Sequence, residues 1–326
     1  MTAAGLVACG GPPASACARL HRVALATSTA DPTVQEASAE AVQGLREARA
    51  NPSLCVGETA IGSSVQALAG QGYDLVIAVG PGFAPAAQEV ARARPKTRLA
   101  VLDAVLTTPP ANLAGVSFRD DQAAFLAGAV AGLASHTHVV TGIYGVSGDV
   151  KARRLRSGFE NGVQHSAPQT LVRGIVEPPG AAFATAQWSS EIALDQVGVG
   201  ADVIFASPGT PSDGALRAIA ALGHTPAGGP ISCIGVEVDE YYSFPAARPC
   251  LLTSAEKRFG VAVKAAVAAF DRGGWPAAGL SMDVHGGGVG YAPFHGQAGR
   301  LNAAQRAALE ATRKSLADGS LATGVG

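Results

Sequence analysis

Tyr73-Asp-Leu-Val-Ile-Ala-Val-Gly80-Pro-Gly-Phe83 sets an unbroken apolar run, Leu75 to Val79, directly ahead of a Gly-Pro-Gly turn. Beyond the turn, Ala84–Ala93 reads as a helix and Arg98–Leu102 as another short apolar strand. A strand that is apolar on both faces belongs in a parallel sheet covered by helices on both sides. Outward from this unit the alternation continues almost throughout. Further strands are expected at Arg22–Thr27, Leu54–Gly57, Leu113–Phe118, Val139–Tyr144, Leu171–Val176, Ala201–Ala206, Ile231–Val236 and Leu251–Ser254. Helices are expected around Val34–Ala50, Ser63–Gly70, Asp120–Leu133, Val150–Gln164, Phe183–Val197, Ser212–Leu222, Glu256–Arg272 and Ala303–Ala317. So many strands overfill one sheet, and two doubly wound α/β domains are the economical arrangement. Ligands of such sheets bind beyond the carboxyl ends of the strands, which directs attention to the polar residues there.

The composition agrees. The chain has 326 residues, 48% hydrophobic, enough to bury a sizeable core and too apolar for disorder. Its net charge is −1 and no basic tract stands out, so nucleic-acid binding has no electrostatic footprint. The unbroken apolar stretch Ala123 to Ala134 is too short to span a bilayer, which takes about 20 residues, and reads as a buried helix.

Near the start, Leu6-Val-Ala-Cys9 fits a lipobox, in which small residues precede a cysteine that becomes lipidated. The Gly/Pro/Ser-rich stretch after it would serve as a tether. Only eight residues precede Cys9 and none is basic, so residues 1–17 are read as a truncated lipoprotein signal and tether. The other cysteines, Cys17, Cys55, Cys233 and Cys250, show no metal-ligand spacing. They are either two disulfides in an oxidising compartment or four buried thiols.

Several segments together resemble the basic membrane lipoprotein family, type I periplasmic-type solute receptors of ABC importers, many of which bind purine nucleosides. The segment quoted above is one. Others are Gly115-Val-Ser-Phe118-Arg-Asp-Asp-Gln-Ala-Ala-Phe125-Leu-Ala-Gly128 and Gly200-Ala-Asp-Val-Ile-Phe205. Ile234-Gly-Val-Glu237-Val-Asp239-Glu-Tyr241 stands where the family has I-G-V-D-x-D-Q, and Leu252-Thr-Ser-Ala255-Glu-Lys257-Arg where it has T-S-A-x-K-R. Gly287-Gly-Val-Gly290-Tyr-Ala-Pro-Phe294 closes the set. The resemblance implies two α/β lobes joined by three crossovers, with a small polar solute in the cleft between them. One lobe would comprise residues 18–116 and 255–281, the other 117–254 and 282–326. It also implies a lipid anchor on the outer side of the membrane and an ABC permease as partner, with no cofactor.

In the family a lysine matching Lys257 reaches the ribose hydroxyls. Glu237 and Asp239 follow a strand, where carboxylates can accept hydrogen bonds from a vicinal diol. Of Asp120 and Asp121 one suffices to complement the helix start, leaving Asp121 for a base edge. Gly209 and Gly214 suit a close backbone approach to the ligand. Where the family has an acidic residue and then S-F-N, this chain has Asp31 followed by Ala37 and Ser38 at the Phe and Asn positions. The stacking aromatic is therefore missing there, with Phe83 and Phe183 as candidate substitutes.

Other chemistries fit less well. His285-Gly-Gly-Gly288 is not followed by a G-x-S-x-G elbow, and Gly80-Pro-Gly82 does not continue into a dinucleotide fingerprint. His136 and His138 form no metal set with neighbouring carboxylates. With no nucleophile–base constellation, the reading is a binding protein; a nucleoside or ester hydrolase on the same scaffold, or a sensor without transport, is the alternative.

Overall fold

The computed structural model describes residues 17, 19–29, 32–146, 148–180, 185–207 and 210–325. Its first part runs β1 (His21–Ala26), α1 (Pro32–Ala50), β2 (Val56–Gly62), α2 (Val65–Gly70), β3 (Leu75–Val79), α3 (Ala84–Ala93), β4 (Arg98–Leu102) and β5 (Leu113–Phe118). The middle part begins with α4 (Asp120–Ala134), β6 (Val139–Tyr144), α5 (Val150–Ser166), β7 (Leu171–Val176) and α6 (Ala186–Gly198). It continues through β8 (Val203–Ala206), α7 (Thr210–Leu222), β9 (Ser232–Glu237), α8 (Glu240–Ser243) and β10 (Leu251–Lys257). Last come α9 (Phe259–Asp271), β11 (Leu280–Met282), β12 (Val289–Tyr291) and α10 (Ala303–Ala317).

The strands form two six-stranded sheets, ordered β2-β1-β3-β4-β5-β11 and β7-β6-β8-β9-β10-β12. Every pairing is parallel except β10 with β12. In both sheets the strand that is second in the lobe's chain order lies outside the first, and the third lies on the first strand's other side. Each lobe therefore has its topological switch point beside its first strand, where α/β sheets open a crevice for ligand. All five residues of β3 and all four of β8 are buried, the signature of strands covered on both faces.

The chain passes between lobes at three places. β5 ends the first sheet's share at Phe118, and α4 packs on α5, β10 and β12 of the second, so Arg119 is the first crossing. β10 remains in the second sheet through Lys257, because Ala255, Glu256 and Lys257 pair with Tyr291, Gly290 and Val289 of β12. The second crossing is thus Arg258, beyond the Ser254 suggested by the sequence, and α9 then packs on α1 of the first lobe. The third lies between Met282 of β11 and Val289 of β12. Both short strands escape a reading of periodicity, since three residues hold too little pattern.

Beyond its acidic first turn, helix α4 is apolar on every side, and it is almost wholly buried. Among the described residues no helix is long and apolar enough to cross a membrane. Its fit against α5 is made backbone to backbone: a Cβ on Gly162 would stand 2.0 Å from the Phe125 carbonyl oxygen, and one on Gly128 2.1 Å from that of Phe159. Two disulfides close, Cys17–Cys55 beside β2 and Cys233–Cys250 between β9 and the start of β10.

Gly162→Ala is expected to destabilise the protein by about 3 kcal/mol, the upper end for overpacking, because backbone rather than a rotatable side chain must give way. Urea unfolding checks this; a variant within about 0.5 kcal/mol of wild type would show that the helix pair has slack.

Candidate functional site

Between the lobes, at the carboxyl ends of the strands, lies a cleft of about 490 Å³. Val34, Ala37, Val79, Gly80 and Asp103 line it from the first lobe. Gly145, Lys151, Ser207, Glu237 and Glu240 line it from the second, and Leu155, Phe244 and Phe259 supply apolar wall.

At its floor is an ionic cluster. Lys257, the last residue of β10, is 2% exposed. Its Nζ lies 2.7 Å from Asp103 Oδ1, 2.9 Å from Glu237 Oε2 and 3.1 Å from Asp120 Oδ1. Lys151, in the first turn of α5, pairs with Glu237 Oε1 and stands 3.4 Å from Asp103 Oδ2. The Phe118 ring lies under Lys257 Nζ with its centroid at 5.6 Å. Asp103 follows β4 of the first lobe, whereas Lys151, Glu237 and Lys257 come from the second. The Asp103 pairs therefore bridge the lobes.

The chemistry follows from burial. An ammonium removed from water loses its hydration and is retained only where anions replace it. Burial works to lower the Lys257 pKa, but Glu237, Asp120 and Asp103 outweigh it and raise the group well above its usual value. Burial likewise works to raise Glu237, yet Lys257 and Lys151 outweigh it and hold this carboxyl at about 2. Asp120 shows the opposite outcome: its burial exceeds the pull of Lys257 and its pKa rises. Asp103 and Glu237 also share a backbone feature, with φ of +59° and +80° in the left-handed region. Side chains other than glycine rarely adopt it, and such strain collects at functional sites.

Of the residues singled out in the sequence, the structure brings Lys257 and Glu237 together, Glu237 lining the cleft and Lys257 buried beneath it. Asp239 is placed elsewhere: it accepts from the Tyr241 N–H to cap α8, and its Oδ2 lies 2.7 Å from His295 Nε2. Asp121 sits at the first crossing, where it accepts from Arg119 at 2.8 and 2.7 Å and from Thr323 Oγ1 at 2.6 Å. Burial pushes its pKa upward, but those partners outweigh it and lower it. Phe83 packs with Ala60 and Leu106 against the core on the first sheet's other side, away from the cleft lining. Gly214 serves the fold, since a Cβ there would stand 1.8 Å from the Ala186 carbonyl oxygen. Asp31, Phe183, Gly209 and Cys9 lie outside the described residues. Ala37 does line the cleft, and Ser38 Oγ donates to the Ser28 carbonyl at 3.2 Å.

Sequence reasoning missed Asp103 and Lys151 and chose Asp121 over its neighbour Asp120. The signal for Asp103 was present, as it directly follows an expected strand. Lys151 lies just past a strand end, in the helix that follows.

The family described as "ABC transporter substrate-binding protein PnrA-like" matches residues 27–308. Similar proteins include the CD4+ T-cell-stimulating antigen of Listeria monocytogenes, 29% identical over 52% of this chain and 46% of that protein. Another is the "ABC transporter nucleoside-binding protein BmpA" of Lactococcus lactis, 27% identical over 53% of this chain and 48% of that one. The matches span about half the length of these relatives. Among solved structures, an ABC transporter solute-binding protein from Conexibacter woesei superposes with a TM-score of 0.72 at 16% identity, covering 93% of this chain and 98% of that one. One from Aeropyrum pernix gives 0.66 at 17% identity, covering 93% and 92%. At such identities the likeness shows the fold, the type I periplasmic-binding-protein arrangement.

Lys257→Met is expected to cost at least about 3 kcal/mol at pH 7, because it leaves carboxylates buried with Lys151 alone. The sign with pH is fixed by Glu237: its folded pKa lies below the ordinary value of 4.5, so its contribution is present above about pH 4.5 and lost as pH falls toward about 2. Urea unfolding from pH 7 to 2.5 should show wild type losing more stability than Lys257→Met, and parallel curves would refute the pairing.

Proposed function

Since the chain belongs to the family of PnrA-like ABC transporter substrate-binding proteins, we propose that it is an extracytoplasmic solute receptor of an ABC importer that takes a nucleoside in the interlobe cleft. The observation that carries this reading is the cluster of Lys257, Glu237 and Asp103 at the cleft floor. An ionised carboxylate has about four acceptor sites, and the lysines use only some of those on Asp103 and Glu237. Hydroxyls of a ribose diol donate to the remainder, while their oxygens accept from the part-exposed Lys151, since the three N–H groups of Lys257 are already taken by Asp103, Glu237 and Asp120. A sugar is uncharged yet rich in donors and acceptors, which suits a cluster that has already balanced most of its own charge. Leu155, Phe244 and Phe259 offer an apolar wall for the base, in place of the aromatic that Ala37 lacks.

Binding works by hinge closure. Asp103 belongs to one lobe and Glu237 to the other, so a diol contacting both favours the closed arrangement by its differential affinity. The crossings at Arg119, Arg258 and the Asp283–Gly288 segment are the hinge. The protein holds and releases its solute without catalysis: Glu237, kept ionised far below neutrality, is poorly matched to general-acid work. Cys9 anchors the chain through lipid, with the permease of the importer as its partner. The relative named for nucleoside binding supports the choice of solute class.

A thermal-shift panel of nucleosides, free bases and sugars tests the reading. A nucleoside at a hundredfold excess over Kd should stabilise the protein by about 2.7 kcal/mol. Lys257→Ala should abolish the shift; no response to any nucleoside, or a shift that survives in that variant, refutes the site. For the anchor, cells expressing the full-length gene with radiolabelled fatty acid should label the protein, and Cys9→Ser should remove the label.

A further inference from the structure

Glu240 stands three residues after Glu237, on the second-lobe wall of the same cleft, and its surroundings are of another kind. It opens α8, its backbone N–H donates to Ser254 Oγ at 3.1 Å, and its side chain folds back onto strand β9. There Oε1 accepts the Val236 N–H at 2.9 Å. The carboxyl occupies the space that a side chain on Gly235 would take: a Cβ on that glycine would stand 2.4 Å from Glu240 Cδ. The position is therefore built, with one oxygen fixed and the other, Oε2, buried in the cleft wall without a hydrogen-bond partner. The residue is 6% exposed. Ser243, one helical turn on and so on the same side of α8, also lines the cleft, and its buried Oγ has no hydrogen-bond partner either.

We propose that Glu240 and Ser243 form a hydrogen-bond-donating subsite that takes an oxo group on the ligand's base. The inference rests on the nucleoside reading above and adds to it the choice of base. Two orphaned polar atoms in a cleft wall are costly unless a ligand completes them. Glu240 faces that ligand as a neutral acid. Burial pushes its carboxyl up to about 8 against the pull of the Val236 N–H, and the negative charges of Asp213, Glu237 and Asp239 add to the rise. With Oε1 engaged as an acceptor, the proton resides on Oε2. The wall then presents two hydroxyl donors, and a carbonyl oxygen, with two lone pairs, accepts from both. An exocyclic amine in the same place sets its own N–H groups against the Glu240 proton. A site that leaves buried donors unmatched rejects the wrong ligand strongly.

The test is calorimetric titration of the full chain at pH 6.5 with inosine, which has an oxo group at purine C6, and adenosine, which has an amine there. Wild type should bind inosine at least tenfold more tightly. Glu240→Ala should narrow that ratio to within threefold, and Ser243→Ala should lower it by at least threefold. Glu240→Gln, whose amide donates from the same place, should keep at least a third of the wild-type ratio, which a charged role for Glu240 would not allow. Should Glu240→Ala fail to fold, the Gln and Ser243 variants decide. A wild type without preference for inosine, or an undiminished preference in Glu240→Ala and Ser243→Ala, overturns the subsite while nucleoside binding stands. Failure of wild type to bind either nucleoside, or any other in the panel, overturns both.

Discussion

A single buried ammonium organises the structure. Lys257 ends the strand nearest the hinge, and an unpaired charge there would be intolerable, so carboxylates must come to it from both lobes. Asp103 reaches it from the end of β4, Glu237 from the end of β9, and Asp120 from the first turn after a crossing. This ties together the strand ends of the two lobes, and two of the carboxylate residues, Asp103 and Glu237, hold left-handed backbone. It also leaves acceptor sites on well-anchored carboxylates at the bottom of a cleft. Two of the groups that keep the lobes in register, Asp103 and Glu237, thus also line the cleft.

Glu237 and Glu240 show how finely burial and partners sort chemically identical side chains. Both are buried within one short segment. Lysines surround the first and hold it at about 2, while the second has a backbone N–H and three negative neighbours and sits at about 8. The anion belongs where hydroxyl donors are expected, and the neutral acid where an acceptor is. Another raised carboxyl lies near the second crossing, where Glu40 of α1 accepts the Phe259 N–H at 3.1 Å and burial, with the charge of Glu256 added, pushes it up to about 8.

The two-lobed fold was legible because its signal is local: short apolar strands alternating with helices, each strand ending in a polar or glycine-rich turn. The extension of β10 to Lys257 was not, since it depends on pairing with β12, a segment more than thirty residues away in the chain. The site was legible in part for the same reason. Lys257 and Glu237 sit at strand ends, where chemistry is expected. Asp121 and Asp239 carry the same outward signal, but Arg119 and Thr323 hold one and His295 with the α8 cap holds the other. Which of two adjacent aspartates turns inward depends on helix phase relative to distant partners, and Thr323 is about two hundred residues away from Asp121. Phe83 likewise follows a strand end, but the Gly-Pro-Gly turn carries it to the outer core.

In the proposed function the carboxylates around Lys257 grip a ribose diol. Calorimetric comparison of inosine with 2′,3′-dideoxyinosine isolates that grip, because the base and the rest of the sugar are unchanged. Hydrogen bonds to charged groups contribute about 1.5–3 kcal/mol each, so losing two should weaken binding by about a hundredfold or more. Equal affinity for the two compounds would contradict the account and place the sugar away from Lys257.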